Sequence, residues 1–183
     1  MPVYVSLLRG INVGGRNLMP MAALSEVYAG AGCTQVKTLL QSGNLVFRGS
    51  GSPALLAKKL GAAIEARFGV RPGLFLRTAA QLHAALAANP FPQQAKADPS
   101  HLALLFFDGK PPAAAAKTLA AWDRGPEQAQ LAGGVLYLYY PDGMGRTRLT
   151  GDILERALGA PGTARNFTTV HKLAALCAAL ESA

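Results

Sequence analysis

The chain has 183 residues, half of them apolar, and a formal charge of +8 at neutral pH, enough length for one large or two small domains that bury their own cores without cross-links. Its two cysteines, Cys33 and Cys177, stand far apart, outside any CxxC pattern and without paired histidines nearby, which argues against a disulfide framework or a zinc site; no metal or cofactor is expected. The apolar start runs for only about seven residues without a basic flank, too short for a signal peptide or a membrane span, so a cytoplasmic protein with no membrane partner is expected.

Residues 3–8 are rich in β-formers and predict a strand. Pro20 followed by Met21, Leu24, Val27 and Tyr28 gives helical spacing that ends at Gly30 and Gly32. Residues 36–40 and 45–47, separated by Ser42-Gly43-Asn44, read as a hairpin. Ser52-Pro53 opens a helix with Leu56, Leu60, Ala63, Ile64 and Phe68 on one face and Gly69 as its stop. A strand over 74–77 completes the order β-α-β-β-α-β, the ferredoxin-like unit, and Thr78 caps a further helix to residue 88.

The proline-rich stretch 90–99 is the expected connector, separating an N-terminal half (1–89) from a C-terminal half (100–183). The second half predicts a strand at 102–107, a helix from 111 to about 122, strands at 128–131 and 135–140 around Gly133-Gly134, a helix at 152–158 and a final helix from Thr168 or Thr169. The expected fold is therefore α+β: two ferredoxin-like halves, the second degraded because its last strand is missing or unrecognisable, plus an extra C-terminal helix.

Charge is uneven. Residues 1–77 hold nine basic and two acidic residues, an excess of +7, whereas 78–183 hold nine basic and eight acidic, an excess of +1. Such a field attracts phosphates, nucleic acid or acidic metabolites. Within the basic half, Gly10, Asn12, Gly14, Gly15, Arg16 and Asn17 follow Arg9 in a pattern close to G-x-x-x-x-G-K-[ST]. Asn17 replaces the magnesium-binding hydroxyl and Pro20 delays the helix, so nucleotide hydrolysis is excluded. An anion cradle of backbone amides, or glycines serving only positive-φ turns, both remain.

Arg165-Asn166-Phe167-Thr168-Thr169 with Lys172 puts positive charge at a helix start that ordinarily prefers acids, a conflict that a bound anion would relieve. Gln41-Ser42-Gly43-Asn44 supplies four polar or turn residues at the hairpin tip, without the elbow or partner motifs of a serine hydrolase. His83, His101 and His171 are scattered, none paired with an acid at ligand spacing, and His171 sits nearest the Arg165 segment. Tyr137, Tyr139 and Tyr140 read as a half-buried strand with hydroxyls at its rim.

The runs L-L-R-G-I-N-V-G-G-R-N, V-K-T-L-L-Q-S-G-N-L-V-F, Y-Y-P-D-G-M-G-R-T-R-L and A-R-N-F-T-T-V-H-K-L resemble the family catalogued as domain of unknown function 1697. The resemblance spans nearly the whole chain and implies two ferredoxin-like halves but no reaction. Its signature positions fall on Arg9, Gly10, Asn12, Gly14, Gly15, Asn17, Gln41, Ser42, Gly43, Asn44, Arg165, Asn166 and Thr169. Leu39 departs from the family's common tyrosine, and Phe167-Thr168 from its common Trp-Asn.

The end of the first strand and the hairpin tip are expected at opposite or diagonal ends of the sheet unless the loop folds back. The site expected is a shared anion pocket of the loop, the tip and the Arg165-Asn166 helix start, lying between the two halves. The leading function is non-catalytic binding of a phosphate-bearing ligand or nucleic acid. The alternatives are an enzyme acting on a phosphorylated or carboxylated small molecule through Ser42 or His171, and an interaction scaffold whose Asn and Gly positions are purely structural.

Overall fold

A computed structural model describes residues 1–182. It is α+β, with two four-stranded antiparallel sheets and, among the described residues, seven α-helices. The chain divides into two compact units: Met1–His83 with the segment from Lys172, and Ala84–His171.

In the first unit β1 (Val3–Arg9), α1 (Met21–Gly30), β2 (Thr34–Leu39), β3 (Asn44–Arg48), α2 (Pro53–Phe68) and β4 (Gly73–Thr78) follow in order, and the strands lie side by side as β2-β3-β1-β4. Period-two alternation turns Tyr4 and Leu8 of β1, with Leu45 and Phe47 of β3, into one core. Period-3.6 spacing brings Leu24 and Tyr28 of α1 and Leu56, Leu60 and Ile64 of α2 into the same core. Each fully buried Leu or Ile adds about 1.5–3 kcal/mol of transfer free energy. Ser6, which shares the face of Tyr4 and Leu8, is buried but satisfied, its hydroxyl 2.7 Å from the Tyr28 hydroxyl. Ser52 caps α2 through the Leu55 amide, with Pro53 in the first helical position.

The register corrects one expectation. Leu7 pairs with Asn44 in an antiparallel ladder, so the C-terminal end of β1 lies beside the N-terminal end of β3 and the hairpin tip. Strand polarity alone brings them together. Arg48, counted above with the basic excess, is a structural tie: Nε donates to Gln35 Oε1 at 2.6 Å, Nη1 to the Met1 carbonyl at 2.9 Å, and Nη2 to the Leu180 carbonyl.

After β4, Thr78 and Gln81 form a reciprocal capping box at the start of α3 (Ala79–Ala87). The proline-rich stretch contains a short helix, α4 (Pro92–Ala97). The second unit then runs β5 (Leu102–Phe107), α5 (Ala115–Ala120), β6 (Gln128–Ala132), β7 (Val135–Tyr139), α6 (Gly151–Leu158) and β8 (Gly162–Asn166), with strand order β6-β7-β5-β8. α7 (Phe167–Glu181) closes the chain.

β8 overturns the expectation of a second half without its last strand. Gly162-Thr163-Ala164 has too few β-branched or aromatic side chains to announce a strand. The segment is held by antiparallel pairing with β5, from Ala103↔Asn166 to Phe107↔Gly162, and all six residues of β5 are buried. Tyr137 also departs from the half-buried reading: it is fully buried, and its hydroxyl donates to the Ala85 carbonyl at 2.5 Å. No helix among the described residues is long and apolar enough to cross a membrane. Both cysteines are buried and unpaired.

Candidate functional site

The loop after β1 is a miniature hairpin. Val13 and Arg16 pair across Gly14 and Gly15, whose φ angles of 58° and 72° are the pattern of a type I′ turn. The Arg16 amide donates to the Val13 carbonyl at 3.1 Å and the Asn12 amide to the Asn17 carbonyl at 3.2 Å. Asn12 and Asn17 also take positive φ, 53° and 49°, as asparagine tolerates better than most residues. Asn17 Nδ2 donates to the Gly10 carbonyl at 2.8 Å. This is a self-bonded turn rather than the open cradle of a P-loop.

Asn12 binds the loop to the hairpin tip. Its Nδ2 donates to the Gln41 carbonyl at 2.8 Å and to the Met19 carbonyl at 2.9 Å, and its Oδ1 accepts from the Met19 amide at 2.7 Å. The Leu8 amide donates to the Gly43 carbonyl at 2.8 Å. Within the tip, buried Asn44 donates to the Leu39 carbonyl at 3.0 Å and to Ser42 Oγ at 2.9 Å. The loop and tip therefore meet, and the asparagine side chains are spent holding them. Arg16 is exposed beside them, as are Val13, Leu18 and Leu40.

Arg165, Asn166 and Thr169 belong to the second unit. Asn166 Oδ1 accepts from the Thr169 amide at 2.8 Å, which makes Asn166 the N-cap of α7 and satisfies a donor that an anion would otherwise take. Arg165 Nη1 donates to Thr163 Oγ1 and to the Ala164 carbonyl, each at 2.8 Å. Burial lowers its guanidinium pKa to about 10, so it stays charged at neutral pH. His171 is exposed, in edge contact with Phe167.

A second polar constellation escaped the sequence reading. Glu127, immediately before β6, is buried, and its carboxylate gathers the loop between β7 and α6. Oε1 accepts from Thr147 Oγ1 at 2.6 Å and from the Arg148 amide at 2.8 Å, and Oε2 accepts from Trp122 Nε1 at 3.0 Å. The Thr147 hydroxyl, against the opposing effect of burial and with help from Trp122 and the Arg148 amide, pulls the carboxyl pKa down to about 2. Glu127 is therefore ionised and already hydrogen-bonded, an anchor and not a base.

In Arg146-Thr147-Arg148 the middle side chain turns inward to Glu127 while both arginines are exposed. With Arg124 they rim a cavity of about 380 Å³ that also includes Tyr140 and Asp142. Arg148 Nη1 donates to the Arg124 carbonyl at 3.4 Å. Among the described residues no ion pair joins Arg124 or Arg146 to a carboxylate. The available sequence signal was R-T-R within the Y-Y-P-D-G-M-G-R-T-R-L run; Glu127 itself carried none.

Of the three histidines, none of which was expected to pair with an acid at ligand spacing, His101 has an acidic neighbour three residues before it. Its Nδ1 lies 2.7 Å from Asp98 Oδ2, which also accepts from the Tyr139 hydroxyl at 3.3 Å. Burial would raise the Asp98 pKa, but hydrogen bonds from His101, Ser100 and Tyr139 outweigh it and lower the pKa. A carboxylate on Nδ1 favours the tautomer that leaves Nε2 as the basic nitrogen. Nε2 is 3.6 Å from where a Cβ on Gly143, a residue lining the arginine cavity, would sit. No group of three or more His, Cys, Asp or Glu side chains among the described residues is placed to hold a metal.

Residues 1–137 match the family model described as a protein of unknown function, DUF1697. A solved structure of a conserved bacterial protein, SP0830 from Streptococcus pneumoniae, is similar to this chain with a TM-score of 0.75 and 22% identity, over 96% of this chain and 98% of that one. At that identity the likeness speaks to fold. No curated protein matches the chain.

Proposed function

This chain belongs to the DUF1697 family, and since that family carries no assigned reaction, we propose from the chain's own geometry that it is a non-catalytic protein that binds a phosphate-bearing ligand. The observation that carries the reading is the cavity rimmed by Arg124, Arg146 and Arg148, whose shape is fixed from below by Glu127. Guanidinium groups match phosphate oxygens in bidentate fashion. Three of them face two carboxylates there, and one of those, Glu127, has both oxygens occupied. The site expected from the sequence, Arg9 to Asn17 with Gln41 to Asn44 and with Arg165, Asn166 and Thr169, is a weaker candidate, because its asparagines and its helix start already have protein partners. The finer fold reading, a ferredoxin-like unit in each half, is supported by the shared β-α-β-β-α-β order and by the same strand sequence in both sheets.

Thermal unfolding of the intact protein with inorganic phosphate and pyrophosphate tests this. A ligand at one hundred times its Kd stabilises the native state by about 2.7 kcal/mol. Arg146→Ala and Arg148→Ala should remove that stabilisation while leaving the unliganded protein's stability within about 0.5 kcal/mol of the parent's, as exposed substitutions do. Loss on Arg9→Ala or Arg165→Ala instead would return the site to the loop or the helix start. Absence of stabilisation by any phosphate would end the binding reading.

A second reading, an enzyme acting on phosphorylated small molecules, is favoured by the Asp98–His101 pair in place of Ser42 or His171. It requires turnover of a phosphomonoester such as p-nitrophenyl phosphate that His101→Ala abolishes. No turnover by the parent protein would dispose of it.

A further inference from the structure

The helices of the second unit are short for the sheet they cover. α5 has six residues, Ala-Ala-Lys-Thr-Leu-Ala, and α6 has eight, whereas the first unit has helices of ten and sixteen residues. Alanines project little volume, so a layer made from them leaves space that close packing would otherwise fill. The result is a cavity of about 550 Å³ walled by α5 and α6, within the size range of small-molecule sites. Leu119, Trp122, Leu149 and Ile153 give it an apolar lining, and Arg124 and Arg156 stand among its polar lining residues.

This cavity and the arginine cavity share Arg124. Trp122 joins them chemically: its ring lines the apolar space, and its Nε1 donates at 3.0 Å to Glu127, which lines the polar one. An indole so fixed presents an apolar face to one side and a satisfied polar edge to the other. We propose that the ligand is amphiphilic, a phosphate monoester whose aromatic or short alkyl body fills the space between α5 and α6 while its phosphate meets Arg124, Arg146 and Arg148. The proposal rests on the anion reading above and adds the chemical class of the molecule bound. Charge complementarity favours an anionic amphiphile over a neutral one, since two arginines and a single acid, Asp123, line the apolar cavity.

Trp122 is the only tryptophan in the chain, so intrinsic tryptophan emission comes from a side chain that lines this cavity. The intact protein is titrated with inorganic phosphate, hexyl phosphate and hexanol, none of which absorbs in the indole range, and binding is followed by Trp122 emission and by thermal shift. Hexyl phosphate is expected to bind at least about tenfold more tightly than inorganic phosphate, because each buried methylene adds favourable transfer free energy. It alone of the two anions should shift the emission to shorter wavelength. Thr118→Phe, a change at an exposed α5 residue lining the cavity, should erase the tenfold gain while leaving phosphate affinity unchanged.

Equal affinities for the two phosphates, or hexyl phosphate binding that leaves Trp122 emission unmoved, would overturn the amphiphile inference and leave the anion reading standing. Hexanol binding without phosphate binding would overturn both, and so would no binding at all.

Discussion

At Gly43 two constraints act on one residue. Its φ is 75°, and a Cβ there would come within 2.7 Å of Leu8 Cβ and 2.9 Å of Ile11 Cδ1. Gly14 has a similar φ, 58°, but nothing lies within 4 Å of where its Cβ would be. Backbone strain alone costs an alanine about 1–2 kcal/mol in this region, and forcing a methyl into packed side chains adds about 1–3 kcal/mol. Urea unfolding of the two variants separates these contributions: Gly14→Ala should lose about 1 kcal/mol and Gly43→Ala at least twice that. Equal losses would mean that the tip yields and that the approach to Leu8 is not a constraint.

Among elements, the loop between β7 and α6 depends on Glu127. Its carboxyl pKa is lowered from 4.5 to about 2 in the folded protein, so its contribution to stability is complete above about pH 4.5 and is lost as pH falls toward 2. Glu127→Gln should therefore reduce stability at neutral pH by about 1–3 kcal/mol and flatten the stability curve across that acidic window. A variant whose curve keeps the parent's slope there would show that Glu127 is not the titrating group. The contrast between loops explains what the sequence made legible. Residues 9–17 and 41–44 could be picked out because turn chemistry uses glycine and asparagine locally, and the structure brings the two together. Glu127 could not be picked out, because its role exists only once residues 122, 147 and 148 converge on it. β8 was hidden for a related reason: its own side chains are weak strand formers, and its place comes from pairing with β5. The helix α2 was legible from Ser52 to Gly69, since its cap, its stop and its apolar face all lie within the segment.

Over the whole molecule, two units share one order of elements and one order of strands while differing in charge and in helix length. The first unit carries most of the positive excess, yet Arg48 is engaged in holding its termini and the asparagines of its loop and tip donate to backbone carbonyls of the same two segments. The second unit is nearly neutral overall but concentrates three arginines around one cavity beside an underfilled helical layer. The excess of positive charge and the local convergence of arginines thus fall in different units, and the proposed site follows the convergence, because the field a ligand meets is set by the charges nearest it. The most direct test is diffraction from crystals soaked in tungstate, a heavy phosphate mimic located by its anomalous signal. An ordered tungstate held by the guanidinium groups of Arg124, Arg146 and Arg148 is the result predicted; a tungstate ordered instead at Gly14 and Gly15 or at Arg165, or none bound at the arginines at all, would contradict the account.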